Sequence, residues 1–311
     1  MLKIGLLVGQ ERSFPDALIA EINGRGMDVR AEYIRIGAVS SADLSSYSVI
    51  LDRISHEVPF YQAYLKTAVL SGTAVINNPF WRIADDKFFG TALAQRIGVA
   101  VPRTLALPSH SYAEGIVAES LSNLTYPLDW QAVVNYTGLP AVLKPHWGGG
   151  WKDVHRVNTF DELLSAYNQS GRLCMILQEF VDWQQYVRCI CIGKSNVLVT
   201  NWDPRKPHFE RYRDPAAQDI APELLERITA DAIRLNEALG YDMNTVEFGI
   251  RDGVPYAIDF MNSAPDFDIA SLTENYFPWV VSAMADLLLS RAETGSKPVF
   301  RWDSLMAITE L

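Results

Sequence analysis

The stretch TVEFGIRDGVPYAIDFMN, residues 245–262, carries two apolar runs around a turn. Thr245–Ile250 and Val254–Phe260 read as a hairpin about Arg251-Asp252-Gly253. Glu247 stands between Val246 and Phe248, and Asp259 between Ile258 and Phe260. Such apolar flanks do not suit two plain surface acids. A two-residue Asp252-Gly253 turn would put the acids on opposite faces of the hairpin. A three-residue Arg251-Asp252-Gly253 connection, with Gly253 left-handed, would put both on one face. The expectation is the three-residue form. Glu247, Asp259 and Asn262 then make a set of hard oxygen donors, suited to Mg²⁺ bridging nucleotide phosphates. A structural acid is the plainer alternative.

Working upstream, Ala141–Lys144 reads as a short strand, followed by Trp147-Gly148-Gly149-Gly150-Trp151. Consecutive glycines let backbone N–H groups approach phosphate oxygens without side-chain clash. No Gly-Lys-Ser/Thr follows, so this is not a Walker A loop. Lys144 at the strand end could reach a phosphate, or be a solvated lysine. Lys87, in Asp85-Asp86-Lys87, stands near a helix start, where an exposed charge is equally ordinary.

Gln178-Glu179-Phe180-Val181-Asp182 leaves a buried strand and could offer backbone groups to a purine edge. Arg188 alternates with Ile190 and Ile192, opposite Cys189 and Cys191. An arginine on an apolar strand face needs an anion, either a phosphate or a structural carboxylate. The loop 203–214 gathers Arg205, Lys206, Arg211 and Arg213, and is either a solvated loop or a lid for an anionic substrate.

The first hundred residues alternate strand and helix. Leu2–Val8, apolar apart from Lys3, reads as a buried parallel strand. Helices are expected over Phe14–Ile22, Phe60–Leu70 and Ala84–Ile97, with strands at Val29–Ile36, Ser48–Ile54 and Thr73–Ile76. Farther on come a helix over Pro222–Leu239 ended by Gly240, and a last one over Tyr276–Arg291. This pattern makes the first part α/β, with an open, mostly parallel sheet, and the remainder α+β.

Composition sets the outer bounds. The chain has 311 residues, 49% of them hydrophobic and 21% charged, which is globular. With 27 basic and 37 acidic residues its net charge is −10, which disfavours nucleic acid and anionic membrane as partners. Three cysteines make no disulfide framework, and no run is long enough to cross a membrane. A reducing cytoplasm is the expected location. No HExxH, GxSxG or paired-cysteine zinc pattern is present.

Taken in order, these segments resemble the ATP-grasp superfamily, nearest its glutathione synthetase and ribosomal-protein glutamate ligase branch. The resemblance runs from Val49-Ile50-Leu51-Asp52-Arg53 through Asn77-Asn78-Pro79, Asp86-Lys87 and Gly98-Val99-Ala100-Val101-Pro102. It continues through Pro140–Pro145, the glycine loop, Gln178–Val181, Tyr186-Val187-Arg188 and the segment 246–262. It implies an N-terminal α/β domain over 1–100, then two ATP-grasp subdomains over 101–182 and 183–311, with ATP between antiparallel sheets. By that resemblance Lys87 and Lys144 contact ATP phosphates, and Gly148, Gly149 and Gly150 cover them. Glu179, Phe180, Val181 and Asp182 form the adenine hinge, and Arg188 faces the transferred phosphoryl group. Glu247, Asp259 and Asn262 hold Mg²⁺, two ions with Mn²⁺ as a substitute. Arg53, Arg205 and Arg211 would meet the substrate. The family usually has aspartate where Glu247 stands, and Glu-x-Asn where this chain has Asp259-Phe260-Met261-Asn262.

The implied activity is ATP-dependent ligation of a small-molecule or peptide carboxylate to an amine, through an acyl phosphate. A homodimer is expected. A small-molecule kinase and an ATP-binding regulatory module are the alternatives on the same fold.

Overall fold

The computed structural model describes residues 1–84, 86–212 and 220–294. In chain order the elements are β1 (Leu2–Leu7), α1 (Ser13–Gly24), β2 (Val29–Tyr33), β3 (Val49–Asp52), α2 (Pro59–Leu70) and β4 (Ala74–Ile76). Next come α3 (Pro79–Ala84), α4 (Lys87–Arg96), β5 (Thr104–Leu107), α5 (Trp130–Thr137), β6 (Ala141–Pro145), β7 (His155–Val157) and α6 (Phe160–Gln169). The chain continues with β8 (Met175–Glu179), β9 (Gln185–Ile192), β10 (Asn196–Asn201), α7 (Pro222–Leu239), β11 (Met243–Arg251), β12 (Val254–Asp259) and α8 (Ile269–Thr294). They gather into two compact units. One comprises 1–83, 241–243 and the chain from 266 onward; the other comprises 84–240 and 244–265.

The first unit is built on a parallel sheet in the order β2-β1-β3-β4. Burial on both faces explains the apolar run Ile4–Leu7 of β1, which begins after Lys3. On one face Leu7 and Ile50 pack with Leu65, Ala68 and Val75. Ile4 and Leu6 alternate to the other face and are also buried. α8 packs on α1, β1 and β3. Phe14 of α1 meets Phe267 edge to face at 5.1 Å, a geometry worth about 0.5–1.5 kcal/mol beyond burial. α8 is two helical pieces joined at Thr273, whose φ of 62° and ψ of 172° break the helix; the piece after Thr273 is the helix expected from Tyr276, and it belongs with the first unit although it follows the second in sequence.

The second unit holds two four-stranded sheets. One runs β5-β8-β6-β7, antiparallel throughout. Its apolar face is covered by α5 and α6, with Leu143, Leu163, Tyr167 and Leu177 at the centre. The other runs β10-β9-β11-β12, with both hairpins antiparallel. α7 packs on it and stops at Gly240, whose φ of 70° is the left-handed cap expected there.

Two expectations fail for local reasons. The helix expected over Ala84–Ile97 starts later, at Lys87, because Asp86 caps α4 by accepting from the Phe88 and Phe89 N–H groups, and Ala84 instead ends α3. The hairpin turn is the two-residue form: Arg251 pairs with Val254, and Asp252 and Gly253 both have positive φ. The acids still share a face. A β-bulge at Ile258 shifts the register, so that Glu247 pairs with Asp259 while Phe248 pairs with Ala257.

Candidate functional site

The site is assembled entirely within the second unit. Lys144 ends β6 with 9% exposure. Its ammonium donates to Gln178 Oε1 at 2.9 Å, and the carbonyl of the bulged Ile258 lies 3.5 Å away. Gln178, itself buried, is oriented by donating to Thr104 Oγ1 at 3.0 Å. Burial lowers the Lys144 pKa against the opposing pull of Asp259.

Lys87 opens α4. Its backbone N–H donates to the His146 carbonyl at 2.9 Å, and its ammonium donates to the Gly148 carbonyl. Lys87, Lys144, Gln178 and Asp259 line one recess. Two ammonium groups held this close, one of them buried, favour an anion between them. Gly148, Gly149 and Gly150 are exposed, with open space where a Cβ would stand. Gly148 adopts φ 101°, which a side chain would resist. Trp151 and Asp153 follow at φ 62° and 55°, so the loop stores strain beside the lysines.

The acids of the hairpin form the other wall. The Tyr186 hydroxyl donates to Glu247 Oε2 at 2.7 Å, and Arg188 Nε lies 3.5 Å from Oε1. Burial raises the Glu247 carboxyl to about 7, which Arg188 opposes and Asp259 reinforces. Arg188 also donates to Thr245 Oγ1 at 3.0 Å. Of the two partners open to Arg188, the structure supplies a carboxylate. Asp259 is exposed. Asn262 is placed through its backbone, whose N–H donates to Asn244 Oδ1 at 2.9 Å. Asn244 is fully buried and also donates to Asn236 Oδ1 and to the Phe260 carbonyl.

This donor set suits a hard cation, because every candidate ligand atom is oxygen. Among the described residues no three His, Cys, Asp or Glu side chains form a metal cluster. The candidate set has two carboxylates and one carboxamide.

At the hinge, the Glu179 carboxylate is held by Arg103 Nε at 3.0 Å and by an Arg251 amino group at 2.9 Å. Its backbone N–H is engaged by the Arg103 carbonyl, and that of Phe180 by the Pro140 carbonyl. Val181 is buried and Asp182 exposed. Arg156 stands 4.1 Å over the Phe180 ring.

The three expected substrate arginines have different surroundings. Arg53 lies in the first unit, bound bidentately to Glu11 at 2.8 and 2.9 Å. Arg205 is exposed, with both donors on Asp203 at 2.9 Å. Arg211 rests over Trp202, 5.3 Å from the ring centroid. Asp85, Arg213 and Asp214 lie outside the described residues. Cys189 and Cys191 are buried free thiols, as two small core residues would be.

Several working residues escaped the sequence reading: Gln178, Tyr186, Trp202, Asn244, and the Arg103 and Arg251 clamps on Glu179. Gln178 in MILQE and Asn244 ahead of TVEF are polar residues in apolar context, a usable signal, because buried polar groups need partners.

No known family's sequence profile matches the chain. A D-alanine–D-alanine ligase from Ralstonia nicotianae is 27% identical over 187 residues, 54% of this chain and 55% of that protein. Human mitochondrial pyruvate carboxylase is 25% identical over 141 residues, 40% of this chain and 12% of that protein. The chain thus spans about half the length of the D-alanine–D-alanine ligase and far less of the carboxylase. Among solved structures, a RimK-domain ATP-grasp protein from Sphaerobacter thermophilus superposes with a TM-score of 0.65 at 20% identity, covering 92% of this chain and 99% of that one. The D-alanine–D-alanine ligase of Bacillus anthracis, solved with ATP, gives a TM-score of 0.62 at 15% identity, covering 96% and 100%. These likenesses span both units of the chain.

Proposed function

We propose that this chain, a protein of the ATP-grasp fold, is an ATP-dependent carboxylate–amine ligase. The observation that carries the reading is the recess where Lys87 and Lys144 meet Asp259 beside the glycine loop. The curated ligases it resembles join, by name, one amino acid to another.

In this reading ATP is a substrate. Lys87 and Lys144 hold its phosphates as point charges, and Gln178 keeps Lys144 aimed. The segment 179–182 takes the purine edge, with the Arg103–Glu179–Arg251 clamp keeping the strand exit rigid. Glu247, Asp259 and Asn262 would hold Mg²⁺, which supplies charge neutralisation for the transferred phosphoryl group. A carboxylate oxygen of the acid attacks the γ-phosphorus and ADP leaves, giving an acyl phosphate. The amine then attacks the acyl carbon, phosphate leaves, and the amine proton passes to solvent or phosphate. Arg188 stabilises the charge on the phosphoryl oxygens. The loop 148–150 excludes water that would hydrolyse the acyl phosphate.

We propose that the second unit divides into subdomains at 84–182 and 183–265, and that the α/β domain covers 1–83 and takes in α8. No helix among the described residues is long and apolar enough to cross a membrane. Arg53, saturated by Glu11, holds the fold of its own unit.

The test is hydroxamate formation with MgATP, hydroxylamine and a panel of amino acids, peptides and other carboxylates. ATP-dependent hydroxamate from an acid of the panel sustains the ligase. ADP release with phosphate appearing on a hydroxyl, and no hydroxamate, replaces it with a kinase.

A further inference from the structure

β12 ends at Asp259, which pairs with Glu247 of β11. Continued past that pair, the antiparallel register would set Asn244 opposite Asn262. It would also turn Asn262 away from Asp259, because residues an odd number apart along an extended strand face opposite ways. The backbone avoids this by leaving the strand. Phe260 and Met261 are neighbours in sequence, yet both approach Gly90 of α4: a Cβ there would lie 3.4 Å from the Phe260 ring and 2.6 Å from the Met261 sulfur. Successive side chains of an extended strand do not converge in this way. A side chain holds the turn. Asn244 Nδ2 donates to the Phe260 carbonyl at 2.8 Å, and Asn244 Oδ1 accepts the Asn262 N–H at 2.9 Å. One amide thus satisfies the carbonyl and the N–H that a neighbouring strand would otherwise have satisfied.

That amide is itself braced. Its Nδ2 also donates to Asn236 Oδ1 of α7 at 2.9 Å, and Asn236 donates to the Ala232 carbonyl at 2.7 Å. Both asparagines are fully buried. A satisfied amide pair in the core specifies one geometry, since any other leaves buried polar groups unpaired. By strand alternation Asn244 shares its face with Val246 and Phe248, also fully buried, and lies opposite Glu247. It therefore works from behind the site. Resting on the reading of Glu247, Asp259 and Asn262 as Mg²⁺ ligands, we infer that Asn244 is a positioning residue for Asn262. Its amide, braced by Asn236, folds 260–262 so that Asn262 comes round to the side of the two acids. Helix α7 thereby sets the geometry of the metal site without contributing a ligand.

The experiment titrates Mn²⁺ into the full chain with saturating ADP and reads the free-ion signal by electron paramagnetic resonance, with an ADP-only control subtracted. Asn244→Ala should raise the Mn²⁺ dissociation constant about 10- to 100-fold, the range for residues that orient metal ligands. Asn236→Ala, one step farther back, should raise it by less. The deciding comparison is a double-mutant cycle with Asn262→Ala, which removes the carboxamide and keeps the backbone N–H. If Asn244 acts through Asn262, Asn244→Ala adds little once that carboxamide is gone, whereas general loosening multiplies the two effects. Thermal unfolding identifies a variant that fails to fold, and Asn236→Ala then replaces Asn244→Ala in the cycle. An unchanged constant in folded Asn244→Ala, or effects that multiply, overturns the inference and leaves the metal site standing. An unchanged constant in Asn262→Ala overturns it by removing Asn262 from the ligand set. Absence of Mn²⁺ binding by the wild-type chain with ADP overturns the inference and the metal reading together, while hydroxamate formation still judges the ligase.

Discussion

The two units each contain an arginine–glutamate pair, and the pairs are built differently. Arg53 and Glu11 meet bidentately at 2.8 and 2.9 Å, with Phe14 and Phe267 rings 5.3 and 4.9 Å from the guanidinium carbon. Arg188 and Glu247 stand 3.5 Å apart. Glu247 turns to Tyr186 instead, Arg188 turns to Thr245, and Arg188 Nε is left without a hydrogen bond among the described residues. A saturated pair spends its charges on each other and serves the fold. An unsaturated pair keeps acceptor and donor capacity for a ligand, at some cost in stability.

The sharpest break of this contrast is Glu11→Gln. Removing one partner of a buried pair costs about 3–5 kcal/mol. That corresponds to a thermal unfolding shift of roughly 10 °C for a chain of this size. A shift under about 2 °C would place the first pair on the same footing as the second. Next is Arg188→Met. It should lower kcat for hydroxamate formation about 10²- to 10³-fold, as loss of one preorganised donor does elsewhere. Its effect on unfolding should be smaller than that of Glu11→Gln. Calorimetry and steady-state kinetics on one preparation compare the two directly.

A pH profile sharpens the contrast further. Glu247 is pushed up to about 7, chiefly by burial, so the folded chain holds a proton that the unfolded chain releases in the ordinary carboxylate range. Stability without metal is then full below that range and falls as the pH rises towards and through 7, by up to about 3 kcal/mol. Glu247→Gln should flatten that slope, and a chemical-denaturation series from pH 4.5 to 8 measures it. The smallest effect is on metal binding. Glu247→Gln should raise the Mg²⁺ concentration for half-maximal activity about 10- to 100-fold. An unshifted Mg²⁺ titration removes Glu247 from the ligand set.

Much of this was legible along the chain. The parallel sheet of the first unit follows from apolar runs such as Ile4–Leu7, since burial on both faces leaves no polar alternation. Gly240 ends α7 because a left-handed cap favours glycine. The two lysines and the glycine loop stood out by residue type, with solvated charges and a plain turn equally open, and the structure brings Lys87 onto Gly148. Their roles were not readable in the same way. Arg53, Arg205 and Arg211 look alike in sequence, yet one is saturated by Glu11, one by Asp203, and one lies over the Trp202 ring.

The hairpin at 245–262 marks the division most clearly. Sequence alone determined two strands, a turn within Arg251-Asp252-Gly253 and two acids in apolar flanks, because alternation and turn chemistry are local properties. Only the tertiary structure decided that the acids share a face. The turn is one residue shorter than the same-face geometry requires, and the Ile258 bulge restores it. A bulge is a property of strand pairing: the Ile258 side chain packs against Gly249, where any Cβ would clash at 2.7 Å, and its carbonyl faces the Lys144 ammonium. Those neighbours come from the partner strand and from the other sheet, so local sequence held no record of them.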